Sequence, residues 1–385
     1  MVLTPPRRPT SAHVDVDALH HNVELIGRHT GRPIMAIVKA NAYGHGLVPT
    51  SRIFVEAGVA QLGVAFLEEG LALRKAGLGC PILVLGGIIG NQIEAFIEND
   101  LSMTASSVHK LRQIDDCALR LGRRARVHLK VDTGMGRFGM QWDSCEALLQ
   151  AAGSTRSCQI EGLYSHLAAS EEPDPSFTQL QGTRFERIRS LLPDVPGHLA
   201  NSGAVLAHPE TWYDMVRPGL ALYGVAPSPR LQEVLDLRPA LSLRTRVVYF
   251  KVVRQGRTVS YDRTWISPVD TRVVTLPVGY GDGYDRRLSN RAQVVIRGRR
   301  HALVGRVTMD AVMIDLGPEG EAYNEDEVHL IGGPGPQAIS IAEMAAWMDA
   351  IPYEVLTNIS PRVPRVYERD GVEVPMPGPP ASAPD

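Results

Sequence analysis

The sequence predicts an α/β protein, with an N-terminal (β/α)8 TIM-type barrel followed by a mostly β C-terminal domain. Its 385 residues are too many for one compact core. From residue 10 to about residue 225, short apolar runs alternate with helix-period segments. After Asp236, strand-like runs follow one another with little helix between them. The domains are therefore placed at 10–236 and 237–375, with a Pro- and Ala-rich tail of disordered composition at 376–385.

In chain order, the barrel strands are expected at 34–39, 61–65, 82–85, 101–104, 127–131, 160–165, 198–200 and 215–217. Asp17 is placed to cap a first helix whose Leu19, Val23 and Ile26 share one face. Further helical segments follow at 50–57, 68–76, 91–98, 108–121, 144–152 and 177–191. Eight strands alternating with helices fit a closed barrel better than an open doubly wound sheet, which shows fewer. In the second domain, strands are expected at 243–253, 272–278, 292–296, 304–307, 312–315 and 327–331, separated by glycine-rich turns. A helix at 340–348 and closing strands at 362–367 and 372–374 complete it.

Composition narrows the function. The chain is 44% hydrophobic and 21% charged, as ordinary globular proteins are. A net charge of −2 leaves no electrostatic footprint for nucleic acid or a membrane surface. Cys80, Cys117, Cys145 and Cys158 lack CxxC spacing, which argues against a zinc site or a disulfide framework and fits a reducing cytoplasm. No run approaches the ~20 apolar residues of a membrane span, and the segment from Met1 to Arg8 has no apolar signal core.

Functional residues of such a barrel collect where strands end and loops begin. Lys39 sits there, closing the apolar run from Ile34 to Val38 and preceding Tyr43, Gly44, His45 and Gly46. A lysine at a strand end is ordinarily a solvated charge; flexible glycines beside an aromatic ring suit an approaching ligand instead. A desolvated lysine loses pKa and becomes a nucleophile that forms Schiff bases with carbonyl cofactors. Far along the chain, Tyr261 offers a phenol that could move a proton on the opposite face of such a cofactor. One amine and one phenol imply two-sided proton transfer at a carbon, which is racemisation.

Other candidates cluster around that pair. His128, Lys130 and Asp132 share one face of a strand, either as a surface Lys130–Asp132 ion pair or as polar groups at the barrel mouth. Arg137, in a loop with Gly134, Gly136 and Gly139, is the better candidate for a ligand oxygen. His166 is either a core histidine or a ring that stacks on a planar cofactor. The loops after strands seven and eight are the usual phosphate site of the barrel. There the Ser202 hydroxyl and backbone amides near Gly203, Gly219 and Leu220 could hold a dianion. Pro218 sets the direction of Arg217. Tyr284, Met309 and Asp310 form a polar rim with Tyr261, and Tyr353 stands open between core and site.

Taken together, in one order from residue 10 to about residue 375, these segments resemble the alanine racemase family, pyridoxal-phosphate enzymes of fold type III. The most specific piece is Ala36-Ile37-Val38-Lys39-Ala40-Asn41-Ala42-Tyr43-Gly44-His45-Gly46. Lys130 to Met135, the Asn201-Ser202 loop, Arg217-Pro218-Gly219 and Val259-Ser260-Tyr261 follow at family-like spacing. The resemblance implies pyridoxal 5'-phosphate as cofactor, with Lys39 forming the internal aldimine and serving as base on one face, and Tyr261 as base on the other. Tyr43, Ser202, Gly219, Leu220 and Tyr353 would bind the phosphate, with His166 near the pyridine ring and Arg137 near the phenolic oxygen. Arg217 would face the ring nitrogen and, keeping its proton, leave it unprotonated. Met309 amide and Arg137 would hold the substrate carboxylate, and Lys130 matches a position that is carbamylated in relatives.

The same resemblance implies a head-to-tail homodimer with shared active sites, in which Tyr261, Tyr284, Met309 and Asp310 serve the partner's barrel. It implies a small amino-acid substrate, no resident metal, and a cytoplasmic enzyme that supplies D-alanine for peptidoglycan. Thr308 departs from the cysteine common in relatives. A pocket narrowed by Tyr261, Tyr284 and Tyr353 favours alanine over larger side chains. Two other classes compete. A barrel decarboxylase for basic amino acids should carry a cysteine in its second domain, and none follows Cys158. A pyridoxal-phosphate carrier on the same barrel would lack the β-rich region and Tyr261.

Overall fold

The computed structural model describes residues 8–375, and the expected tail at 376–385 lies outside them. The chain divides into two compact units: one is Ala18–Arg238, the other Pro239–Pro375 together with the described residues before Ala18.

In the first unit, Met35–Ile37, Gln61–Val64 and Ile82–Val84 pair in parallel in that order. Met103–Ala105, Ala125–Asp132, Cys158–Tyr164 and Gly197–His198 do the same. A parallel bridge from Leu83 to Ser102 joins the two groups. The eighth position closes the ring: Val216 bridges Ile34, its carbonyl accepts from Met35 N–H at 2.8 Å, and Arg217 N–H donates to Ala200 at 2.9 Å. This is the (β/α)8 barrel expected from the alternation, and all strands point their C-terminal ends one way.

The intervening helices follow the apolar periodicity. Val16–Thr30 buries Leu19, Val23 and Ile26, and Val108–Leu121 buries Leu111, Ile114 and Ala118 behind a Ser107 cap. Ser176–Arg189 buries Phe185 and Ile188. Each such Leu, Ile, Val or Phe side chain contributes about 1.5–3 kcal/mol when fully buried. Asp17 is not the cap: it lies in the first turn, and its carboxylate accepts from Asp370 N–H at 2.7 Å.

The second unit is built on a ten-stranded sheet. Its order is Tyr249–Val253, Thr271–Leu276, Val312–Gly317, Arg299–Leu303, Gln293–Ile296, Glu327–Ile331, Leu241–Arg246, Ser11–Asp15, Arg365–Arg369 and Val372–Glu373. Every neighbouring pair is antiparallel except Ser11–Asp15 with Arg365–Arg369. Residues 11–15 thus belong to this sheet and not to the barrel begun at residue 10 by the sequence reading, because both their edges are paired with C-terminal strands.

Two expected strands differ. The run 243–253 is two strands, because at Val247 and Val248 the backbone changes partner, from Asp326 to Thr275. The expected strand at 304–307 is a turn after Arg299–Leu303: Gly305 has φ +79°, and Gly305 and Val307 N–H groups donate to the side chains of Asn290 and Ser289. A short hairpin, Thr258–Val259 with Trp265–Ile266, carries Tyr261 at its tip. Among the described residues no helix is long and apolar enough to cross a membrane.

Candidate active site

Lys39 follows the first barrel strand and begins an unusual backbone turn. Ala40, Asn41, Ala42 and Tyr43 all take left-handed conformations, with φ of 53°, 56°, 53° and 50°. Such a conformation costs about 1–2 kcal/mol per non-glycine residue, so something must hold it. Glu69 does part of this. One carboxylate oxygen accepts from Ala40 N–H at 2.7 Å and the other from Ala65 N–H at 2.8 Å. Asn41 Oδ1 accepts from Leu47 N–H at 2.8 Å, and Gly44 and Gly46 accommodate the exit with positive φ. The turn sets the Lys39 amine in a partly buried position, where burial lowers its pKa, nearby Arg137 lowers it further, and Glu69 partly opposes them. That is the setting of a nucleophilic lysine.

The same turn buries Tyr43. Its ring packs on Tyr223, with centroids 5.0 Å apart, and its hydroxyl lies against Gly219. Ser202 opens the helix Ser202–Ala207, and its hydroxyl accepts from Gly219 N–H at 2.9 Å and Ala221 N–H at 3.2 Å. Asn201 caps that helix through Ala204 N–H. Two strand-end loops therefore bring a hydroxyl, a phenol and backbone N–H groups together in the barrel's usual phosphate position. Gly203 allows the backbone to approach Ser170, since an added β-carbon would stand 2.7 Å from the Ser170 hydroxyl.

Arg217 is 4% exposed, and its donors are spoken for on the barrel side. Nη2 donates to the Ser165 carbonyl at 2.7 Å and the Leu199 carbonyl at 3.1 Å, and Nη1 to His198 Nδ1 at 3.1 Å. Its Nε has no hydrogen-bond partner among the described residues, which suits an acceptor on a bound ring. Burial lowers its pKa to about 10, so it remains a cation at neutral pH. His166 stands 3.4 Å from Arg217 Nη2 and is kept neutral by burial and by Arg217.

Lys130 and Asp132 are not a surface ion pair; both are buried. Asp132 instead accepts from the N–H groups of Gly134, Met135 and Gly136 at 2.8–3.2 Å, and so shapes the loop that presents the exposed Arg137. Lys130 Nζ lies 4.1 Å over the Tyr164 ring and donates to no described group. Burial, then Arg217 and Arg137, lower its pKa to about 7.

In the second unit, Tyr261 is 69% exposed on a strained turn, where Ser260, Asp262 and Arg263 all have positive φ. Ser260 Oγ donates to the Arg306 carbonyl at 2.7 Å, and Arg306 reaches the Asp262 carboxylate at 3.3 Å, so the turn is held from both sides of the tyrosine. Tyr284 is buried, and its hydroxyl has no partner among the described residues. A buried phenol left without a partner costs about 1–3 kcal/mol. The glycines before it serve close packing: β-carbons on Gly279 and Gly281 would run into the backbone of Thr308 and Met309 and the Arg362 side chain. Met309 is exposed, and its N–H donates to no described group. Asp310 pairs with Arg362 at 2.7 Å. Tyr353, on the helix Pro352–Thr357, is half-buried.

Glu69, Tyr164, Ser165 and His198 escaped the sequence reading. Glu69 lies 29 residues from the backbone N–H it holds, and an acidic residue in a helix's first turn is unremarkable by itself. Alternation along 160–165 does place Tyr164 inside the barrel, and that is the one signal the sequence offered.

Residues 14–227 match the family model "Alanine racemase, N-terminal domain", and residues 240–367 match "Alanine racemase, C-terminal domain". An alanine racemase of Symbiobacterium thermophilum is 43% identical over 367 residues, covering 94% of this chain and 97% of its own. The crystal structure of alanine racemase from Bacillus anthracis with bound L-Ala-P superposes with a TM-score of 0.90 at 37% identity, covering 97% of this chain and 98% of its own. A histidine racemase from Leuconostoc mesenteroides has the same fold at 28% identity and a TM-score of 0.86, covering 95% of this chain and 99% of its own.

Proposed function

The chain belongs to the alanine racemase family, and from that premise we propose that it interconverts L- and D-alanine by proton transfer on two faces of a pyridoxal-phosphate adduct. The observation that carries the reading is the barrel mouth itself, where a desolvated amine at Lys39 adjoins a dianion cradle of Tyr43, Ser202 and Gly219.

The residues fit the cofactor. Ser202 Oγ, Tyr43 Oη and the N–H groups of Gly219 and Leu220 would hold the phosphate, with Tyr353 as a further contact. His166 would lie on the ring, and Arg217 Nε would meet the ring nitrogen. When bound, the cofactor supplies an electron sink that acidifies the substrate's α-carbon. Because Arg217 keeps its own proton, it would leave the ring nitrogen unprotonated and make that sink shallower. Such a sink would favour return of a proton to the α-carbon over other fates. Lys39 takes and returns the proton on the D face, and Tyr261 on the L face. Arg137 and the Met309 N–H hold the substrate carboxylate. Lys130, carbamylated, supplies an anion to steady Arg137.

Tyr261 is presented outward on its turn, and we assign it, with Tyr284, Met309 and Asp310, to the barrel of a second copy in a head-to-tail homodimer. The enzyme would work in the cytoplasm and supply D-alanine for peptidoglycan. The test is L-alanine added to the pyridoxal-phosphate-loaded protein in heavy water. Deuterated D-alanine is the expected product. Deuterium exchange without inversion would remove Tyr261 from its role, and absence of exchange would point to another amino acid, histidine among the first to try.

A further inference from the structure

Behind Arg217 the barrel interior holds two buried histidines in series, which racemisation as described leaves without a role. Arg217 Nη1 stands 3.1 Å from His198 Nδ1, and His198 Nε2 stands 2.9 Å from His128 Nδ1. His128 Nε2 faces a carboxylate oxygen of Glu161 at 3.9 Å, near enough for charge to act and too long for a hydrogen bond. Glu161 is fixed by Ser102 Oγ at 2.9 Å and Arg126 Nε at 2.8 Å, toward the opposite end of the strands from Arg217. The fold makes room for the pair: a β-carbon on Gly162 would stand 3.0 Å from His198 Nε2 and closer still to His128 Nδ1. The His198 ring also stacks on Tyr164, with centroids 5.0 Å apart and planes 7° from parallel.

The direction of this chain follows from the donor inventory. A guanidinium only donates, so His198 Nδ1 accepts. Burial and Arg217 hold His198 neutral, so its one proton sits on Nε2 and is donated to His128 Nδ1. His128 is also neutral, with a pKa pushed down to about 3 by burial and then by Arg126 and Arg217. Its proton therefore sits on Nε2, facing Glu161. A donor-only group at one end and an acceptor-only group at the other demand the same order of protons.

We propose that His198, His128 and Glu161 form a one-way proton-ordered chain through the barrel that fixes both imidazole tautomers and commits Arg217 Nη1 inward, leaving Nε for the cofactor. Glu161 is then a positioning residue acting through two histidines on the arginine of the site. The inference rests on the pyridoxal-phosphate racemase reading only for its consequence to turnover, because the proton order is a property of the protein alone.

The experiment is 15N NMR of histidine-labelled protein without cofactor at neutral pH, beside racemisation assays of the loaded enzyme. Wild type should show His128 and His198 as neutral Nε2–H tautomers. Glu161→Gln, which keeps the shape and can turn an amide N–H toward His128, should give mixed tautomers at His128 while the circular dichroism stays unchanged. In the loaded enzyme it should lower kcat about fivefold with KM for alanine unchanged, the scale of one charge acting at about that distance. An Nδ1–H or protonated form of either ring in wild type overturns the chain, and this outcome does not depend on any variant folding. Unchanged tautomers in Glu161→Gln overturn the role of Glu161. Absence of racemisation in wild type would defeat the functional reading, while the tautomers would still judge the chain.

Discussion

A β-carbon on Gly219 would stand 2.5 Å from the Tyr43 hydroxyl. The phenol and the glycine are 176 positions apart in the sequence, yet their contact closes the cradle proposed for the phosphate. Gly219→Ala must push Tyr43 away, at a cost of about 1–3 kcal/mol for overpacking. The expected outcome is a rise of about tenfold or more in the Kd for pyridoxal phosphate, read by absorbance titration. The penalty should shrink in a Tyr43→Phe background, where the atom nearest the new methyl is gone. Equal penalties in the two backgrounds would show that the contact does not govern the cradle.

Tyr261→Phe removes one hydroxyl from an exposed turn that Ser260 and Arg306 hold without it. Cofactor binding and thermal stability should be unchanged. Racemisation should fall by about a hundredfold to ten-thousandfold in both directions, the range of a lost general base. The initial rates of D-alanine formation from L-alanine and the reverse are the measurement. A variant within a factor of a few of wild type would mean that another group is the second base.

Contiguity decided how much of the site could be read from the sequence. Lys39, Tyr43 and the two glycines after them occupy eight adjacent positions, so the motif was visible before any fold was known. Ser202, Arg217 and Gly219 were legible through the barrel alternation, which places loops after strands seven and eight together. What was hidden depends on contacts between distant segments. Glu69 reaches back to Ala40, and Asp132 spends its carboxylate on its own loop and not on Lys130. Ser11–Asp15 reads as a leading segment and becomes an interior strand only because Leu241–Arg246 and Arg365–Arg369 flank it. The turn at 304–307 depends on Ser289 and Asn290, whose side chains take N–H groups that a strand would have paired.

The buried histidines predict an acid limit. His128, His166 and His198 have folded pKa values below their ordinary value, that of His128 at about 3. In the unfolded chain they protonate near 6.5. Below that pH the unfolded state binds protons that the folded state refuses, so stability falls as the pH drops from about 6.5 toward 3. Between pH 6.5 and 5, unfolded carboxylates remain mostly ionised, and the slope there belongs to the histidines. Urea denaturation of the cofactor-free protein at several pH values should show ΔG falling over that window. His128→Asn should reduce the slope, and a flat profile in the wild type would mean that these rings are charged when folded.

Lys130 predicts a slope of the same sign on the alkaline side. Its folded pKa is lowered to about 7, against an ordinary value of 10.5, chiefly by burial and then by the charges of Arg217 and Arg137. Between those values the unfolded lysine carries a proton that the folded one has lost, so stability rises with pH from about 7 toward 10. Lys130→Met keeps the apolar stem over Tyr164 and removes the amine, so it should flatten that rise and raise stability near pH 7. The same neutral amine is the form that reacts with carbon dioxide, and its population grows as pH passes 7. Wild type in 13C-bicarbonate at pH 8 should give a carbamate resonance that Lys130→Met lacks and that fades as the pH falls below 7. Loss of the Lys130 anion should loosen Arg137 and raise KM for alanine more than it lowers kcat. A stability rise that survives in Lys130→Met would assign the slope to Lys39, the other amine at the barrel mouth whose pKa burial lowers.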